Sequence, residues 1–260
     1  MKKAVAKKTV KTVKTTNLKN IWSDYDIYLE ILGQSVDQII EETKAVKALI
    51  KKEKPETILE LFAGPFSRYY NLLFNGREFK NYLINDCVDY KFEQKLLKII
   101  SHVEHLSMVD YNVLFDLVWA PNGGFNLLTK EEELMFALQN IRKEVLQPAG
   151  KLVLGPAFSS ELDEKDLVTT VRSINNHNLK QRFPKGKISY KLGVQENGPV
   201  KNVYFDISFF DAASKMVAKY KTKNPLVYRK WTIEELEEKL EKAGYEWKKV
   251  GSLLVAQAGK

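Results

Sequence analysis

The sequence predicts an α/β fold, a mostly parallel sheet with helices on both faces. Three observations predict it. From Val36 to Leu154, short apolar runs alternate with stretches of helical periodicity, and that order buries a parallel sheet between layers of helix. The run Thr57–Phe62 carries an acid, Glu60, ahead of a small-residue turn, Ala63-Gly64-Pro65, as a buried strand does when it turns into a helix. After about Lys185 the spacing changes to apolar-polar alternation, and a helical pattern then returns.

The elements follow in order. Residues 21–34 (IWSDYDIYLEILGQ) are aromatic and acidic, so the folded domain is expected over 21–260. Ser35 with Gln38 forms a capping box, and the helix behind it carries Val36, Ile39, Ile40, Val46 and Ile50 and stops before Pro55. Strand 1 is Thr57–Phe62, with a helix from about Ser67. Strand 2 is near Tyr82–Asn85, with a helix over Phe92–Ile100. Strand 3 is near Val103–Met108 and strand 4 is Phe115–Ala120. Thr129 and Glu132 cap a helix bearing Leu134, Ala137, Leu138, Ile141 and Val145. Gln147–Gly150 is a turn and strand 5 is Lys151–Leu154. Over about 185–226, Ile188, Tyr190 and Leu192 alternate with polar residues. Val203, Phe205, Ile207 and Phe209 do the same, as do Met216, Ala218 and Tyr220, with a turn at Asp211–Ser214. These are antiparallel strands with one buried face, inserted within the α/β pattern. Thr232 with Glu235 caps the last helix, which carries Ile233, Leu236, Leu240 and Ala243 and ends at Gly244. Tyr245–Val250 and Leu253–Gln257 make a terminal antiparallel hairpin about Gly251-Ser252.

The formal charge of +8 is unevenly placed. Residues 1–20 hold seven lysines and no acid, and setting those seven apart from the 41 basic residues leaves 34 against 33 acidic ones. The Lys/Thr/Val-rich tail cannot build a core and is expected to be disordered. It reads as a solvated extension, as an electrostatic anchor for RNA, DNA or an acidic membrane surface, or as a targeting peptide, against which the absence of arginine counts. The near-neutral body argues against a broad phosphate-binding face. One cysteine, Cys87, excludes an internal disulfide framework and suits a reducing, cytoplasmic setting. No apolar run approaches the roughly 20 residues of a membrane span, and the first residues lack the apolar core of a secretory signal. His102, His105 and His177 have no spacing that suggests a metal site.

Ligands of open α/β sheets bind outside the carboxyl ends of the strands. Glu60 at that edge suits a nucleoside ligand that also carries positive charge. Asp86 ends strand 2, where an acid can accept from both ribose hydroxyls. Met108, Val109 and Asp110 follow strand 3, and Ala120-Pro121-Asn122 follow strand 4.

This order resembles the class I S-adenosylmethionine (SAM)-dependent methyltransferases, from about Ile21 to the C-terminus. The resemblance implies a Rossmann-like, seven-stranded sheet. In the family's first motif an acid precedes alternating glycine positions. Here the acid is Glu60 and the middle glycine is Gly64, while Phe62 and Phe66 stand at the flanking glycine positions. The resemblance implies that Glu60, Phe62, Ala63 and Gly64 wall the methionine end of SAM and that Asp86 takes the ribose, with Cys87 touching the ligand through its backbone. It also implies that Met108, Val109 and Asp110 hold the adenine and that Ala120 and Pro121 line the methyl-transfer pocket. A dinucleotide pyrophosphate needs a glycine-rich turn, which Phe62 and Phe66 would obstruct. A sulfonium has no phosphate, and aromatic faces favour cations.

Small-molecule N-methyltransferases, including those acting on glycine-type amines and aminosugars, resemble the chain in the antiparallel insertion and in a Tyr-Asp segment before the first helix, Tyr25-Asp26. The resemblance implies Tyr25, then Tyr28, as the active-site aromatics and a small amine as methyl acceptor. Methyl transfer to a neutral amine needs alignment and exclusion of water rather than a strong base, so no catalytic dyad is expected. Two other readings stand beside this one. A nucleic-acid or protein methyltransferase could use the lysine tail, although Ala120-Pro121-Asn122-Gly123 lacks the polar first residue and second proline of base-methylating enzymes. A non-catalytic protein of the same fold is the other. The insertion reads equally as a homodimer interface or a lid.

Overall fold

The structure, a computed structural model, describes residues 27, 30–31, 36–63, 81–86, 97–100, 103, 113–121, 123–155, 171–221 and 225–259. Helix α1 spans Val36–Glu53. It stops because Lys54 takes a left-handed φ of 51° and Pro55 cannot continue a helix. Strands β1 (Thr57–Glu60), β2 (Asn81–Asp86), β3 (Leu97–Ile100), β4 (Phe115–Ala120) and β5 (Leu146–Leu154) follow, with α2 (Glu131–Asn140) between the last two. Next come β6 (Arg172–Ser173), α3 (His177–Arg182), β7 (Lys187–Asn197), β8 (Val200–Phe210), β9 (Met216–Lys221) and β10 (Leu226–Arg229). Helix α4 (Ile233–Lys242) and the hairpin β11 (Tyr245–Val250) and β12 (Leu253–Ala258) close the chain.

Among the described residues the main sheet runs β3-β2-β1-β4-β5-β12-β11. Its first five strands are parallel, and β12 is antiparallel to both neighbours. The expected mostly parallel sheet with an antiparallel end is therefore the one found. Ile58, Leu117 and Trp119 pack with Val46 and Leu49 of α1 on one face. Leu59, Val118 and Leu152 pack with Leu134 and Leu138 of α2 and Leu240 of α4 on the other. Strand order reverses between β1 and β4, which opens a crevice at their carboxyl ends. At the opposite edge one carboxylate ties these two strands. Asp116 Oδ2 accepts from the Glu56 and Thr57 N–H groups at 2.9 and 3.0 Å, and Thr57 Oγ1 accepts from the Asp116 N–H at 2.9 Å.

Several expectations need correction. The segment expected to be a helix to Ile100 ends as a strand. Leu97–Ile100 pairs with Leu83–Asp86 and takes the place expected for Val103–Met108, because four residues (LKII) are too short for a period that separates strand from helix. Val103 is buried in a helical turn, and residues 104–108 lie outside the described residues. Strand 1 stops at Glu60, two residues early. The Thr129 capping box does not form. Lys130 occupies the N-cap without a side-chain bond, and the three acids Glu131, Glu132 and Glu133 face the positive helix end instead. The Gln147–Gly150 turn is a loop-out within β5, since pairing with β4 jumps from Phe115↔Leu146 to Leu117↔Lys151. Met216 is 37% exposed while Ala218 and Tyr220 are buried. The first capping box falls outside the described residues at Ser35.

A second sheet runs β10-β8-β7-β6, with β9 also on β8. It starts before and ends after the 185–226 alternation. Its alternating Ile188, Tyr190, Leu192, Val203, Phe205 and Ile207 make one buried face, and Ile27 and Ile31 of the leading segment complete that core. The Glu30 carboxylate accepts from Arg172 and from the Asn175 and Asn176 N–H groups, the last two at 2.9 and 2.6 Å.

Candidate active site

The carboxyl edge of the main sheet gathers the described part of the constellation. Glu60 pairs with Ile84 on β2 and Trp119 on β4 and is fully buried. Tyr82, two residues before Ile84 on the same face, donates its hydroxyl to the Glu60 carboxylate. The acid therefore lies beneath the turn and is not exposed at its surface. The turn itself is held on both flanks. The Leu61 N–H donates to the Trp119 carbonyl at 2.8 Å and the Ala63 N–H to the Asn85 carbonyl at 3.0 Å.

Phe62, between them, has a φ of 53°. This left-handed conformation costs a residue with a Cβ about 1 kcal/mol or more, and glycine adopts it without penalty. The backbone thus keeps the shape of a glycine turn while carrying an aromatic ring. That ring turns towards the end of β4. A Cβ on Gly124 would lie 2.4 Å from Phe62 Cδ2, and the Phe125 ring meets it edge to face at 5.6 Å and 69°. Phe62 is half-buried in this contact. Gly64 and Phe66 lie outside the described residues.

Asp86 sits two residues beyond Ile84 on the face that carries Glu60 and is partly exposed at the strand end. Ala120 and Pro121 are buried. The Ala120 carbonyl accepts from Gly155 at 2.8 Å and that of Pro121 from Gly124 at 3.0 Å, so both shape the wall after β4. The structure therefore brings Glu60, Phe62, Ala63, Asp86, Ala120 and Pro121 to one edge. Tyr25, Tyr28, Cys87, Met108, Val109 and Asp110 lie outside the described residues, as do His102 and His105. His177 is exposed, with a ring nitrogen 3.0 Å from Gln181. No group of potential metal ligands occurs among the described residues, and no described helix is long and apolar enough to cross a membrane.

Sequence reasoning missed what stands beside this edge. Beyond β4 and β5, a cavity of about 180 Å³ lies between the helical turn Gly124–Leu127, the start of α4 and the β11–β12 turn. Phe125, Asn126 and Trp231 line it. Trp231 is fixed by bonds from its N–H to Asn126 Oδ1 at 3.0 Å and from its indole N–H to the Leu128 carbonyl at 2.9 Å. The Arg229 guanidinium covers its ring at 3.5 Å. Only Gly123-Gly124 hinted at a shaped loop here.

With the geometry in view, the fold is that of the class I SAM-dependent methyltransferases. Solved structures with this fold include the sugar N-methyltransferase KedS8 from Streptoalloteichus, at 15% identity and a TM-score of 0.66, covering 100% of each chain. DesVI from Streptomyces venezuelae shares 13% identity at a TM-score of 0.65, over 90% of this chain and 97% of that one. CalS10, an amino pentose methyltransferase from Micromonospora echinaspora solved with SAM bound, shares 17% identity at a TM-score of 0.58, over 83% of this chain and 89% of that one. No protein-family model matches the chain, and no curated protein sequence does.

Proposed function

We propose that the protein transfers a methyl group from SAM to a small-molecule acceptor, an amine. The observation that carries the proposal is the pairing of a glycine-shaped turn after β1 with an acid at the end of β2, in a fold whose similar solved structures include sugar and amino pentose N-methyltransferases. The residues present fit SAM. The left-handed Phe62 preserves the turn, and Asp86 is a partly exposed carboxylate at the ribose position. SAM would supply an electrophilic methyl group on a sulfonium.

The chain's residues bind, orient and exclude water. Glu60, buried with Tyr82, sets the turn from beneath. Phe62, Ala63 and Gly64 wall the methionine end, Asp86 and Cys87 hold the ribose, and Met108, Val109 and Asp110 hold the adenine. Ala120 and Pro121 form the reaction-side wall, with Tyr25 and Tyr28 beside the methyl acceptor. A neutral amine brings its own lone pair, so alignment is the main task. The single cysteine and the body's charge balance suit a cytoplasmic enzyme of small molecules.

Calorimetric titration of SAM and its demethylated product tests this. The expected result is saturable binding of both, followed by methyl transfer to a member of a small-amine panel and none to total RNA. Absence of binding at millimolar SAM would overturn the proposal. Transfer to RNA alone would overturn its choice of acceptor.

A further inference from the structure

We infer that the cavity beyond β4 and β5 is a subsite for the methyl acceptor, which takes an uncharged single ring bearing one oxygen that accepts a hydrogen bond from the Asn126 side-chain amide. The inference rests on the methyltransferase reading for the word acceptor. The site itself rests on geometry.

Asn126 is 3% exposed and lines the cavity. Its Oδ1 accepts from the Trp231 backbone N–H at 3.0 Å. A backbone N–H can face only the oxygen of the amide, so the orientation is fixed and the NH₂ is the other end. Among the described residues no acceptor takes that NH₂. That NH₂ is not sealed among protein atoms, and a donor that opens on a cavity is satisfied by what enters it.

The rest of the wall sets the ligand class. Phe125, Leu154, Trp231 and Leu236 are apolar. At the mouth, Lys249 is paired with Glu237 at 2.9 Å, so no net charge calls for a charged ligand. A cavity of about 150 Å³ admits benzene. This one, at about 180 Å³, admits one six-membered ring with a small substituent. Position supports the assignment to the acceptor. Ala120 lines the cavity, and Phe125 lines it while also meeting Phe62 of the β1 turn. One aromatic pair therefore separates the cavity from the turn proposed to hold SAM.

Cyclohexanone, an uncharged ring with one accepting oxygen, is the probe. It is titrated into the full chain while the Asn side-chain amide resonances are followed. The expected result is saturable movement of the Asn126 resonance. Asn126→Asp keeps the oxygen facing Trp231 and removes the donor, and it should weaken cyclohexanone about tenfold. Ile233→Trp, at an exposed position on the rim, should abolish binding without threatening the fold. Absence of saturation, or equal binding by the parent and either folded variant, would overturn the site.

A second measurement separates the two proposals. With a methyl acceptor identified, Asn126→Asp should raise its KM about tenfold and leave SAM affinity unchanged. If cyclohexanone binding falls while that KM does not move, the cavity is not the acceptor subsite. If SAM fails to bind while cyclohexanone still does, the methyltransferase reading fails and the pocket stands without its acceptor role.

Discussion

Phe62 concentrates the chemistry of a single position. Its left-handed φ is a glycine's, and its ring is fixed by Gly124 and Phe125. Two substitutions separate backbone from ring. Phe62→Ala removes the ring and keeps the strain, whereas Phe62→Gly removes both. Alanine is ordinarily the more stable of the two by about 0.5–1 kcal/mol. At this position the order should reverse, with Phe62→Gly about 1 kcal/mol more stable than Phe62→Ala and both below the parent because the ring packing is lost. Urea denaturation midpoints of the three proteins check it, and the usual alanine-over-glycine order would refute the strain. The residue also explains what was legible. Glu60 and Asp86 could be placed from strand ends alone. The fate of the Phe62 ring could not, because it depends on Gly124, which the chain brings across in the helical turn after β4. A pattern that demands glycine at 62 passes over a chain that keeps only the torsion angle.

At the scale of elements, alternation placed the strands with one polar face, and an apolar run of six residues placed the buried strand Phe115–Ala120. Helix α4 has the capping box read from Thr232 and Glu235, and β7 and β8 alternate as expected. Strand β3, four residues with Lys98 among them, is too short to show a period of its own. The contact between α2 and α4 was invisible to local pattern, since Lys239 and Glu131 lie 108 residues apart. In the structure, Lys239 Nζ lies 2.5 Å from Glu131 Oε1. The bond to Lys239 holds the Glu131 carboxyl below the usual range, and the bond to Glu131 holds the Lys239 ammonium above its own. The pair's contribution is therefore complete between the two groups' ordinary values. It is lost as pH falls through the lowered carboxyl value, and again as pH rises through the raised ammonium value. Thermal midpoints of the parent and Glu131→Gln should differ at neutral pH and converge in acid once the lowered carboxyl is protonated. A difference that persists there would refute the pairing. Nearby, burial pushes the Tyr245 phenol up, which keeps it protonated as a donor to the Leu138 carbonyl at 3.0 Å.

Among the described residues the molecule is two sheets and a leading segment that docks on the second. Apolar-polar alternation pointed to the antiparallel insertion, and the charge count separated the lysine tail from the body. Neither indicated that Ile27 and Ile31 belong to the insertion's core, because the contact spans 142 residues from Glu30 to Arg172. The Glu30 carboxylate satisfies one guanidinium and two backbone N–H groups while itself 5% exposed. Glu30→Gln replaces an acceptor oxygen with a donor facing N–H groups and should cost about 2 kcal/mol. It should also speed proteolysis within the leading segment. Because that segment carries Tyr25 and Tyr28, methyl transfer should fall while SAM affinity holds. Unchanged proteolysis would show that the anchor lies elsewhere.

The contact between Phe62 and Gly124 also constrains the order in which this chain can change. Gly124 lies in a helical turn and has no left-handed φ, so what excludes a side chain there is the neighbouring ring. A lineage that first replaces Phe62 with glycine opens position 124 to alanine at little cost. A lineage that tries Gly124→Ala first meets a collision. The two positions form a ratchet in which history, as well as chemistry, determines the sequences that can be reached.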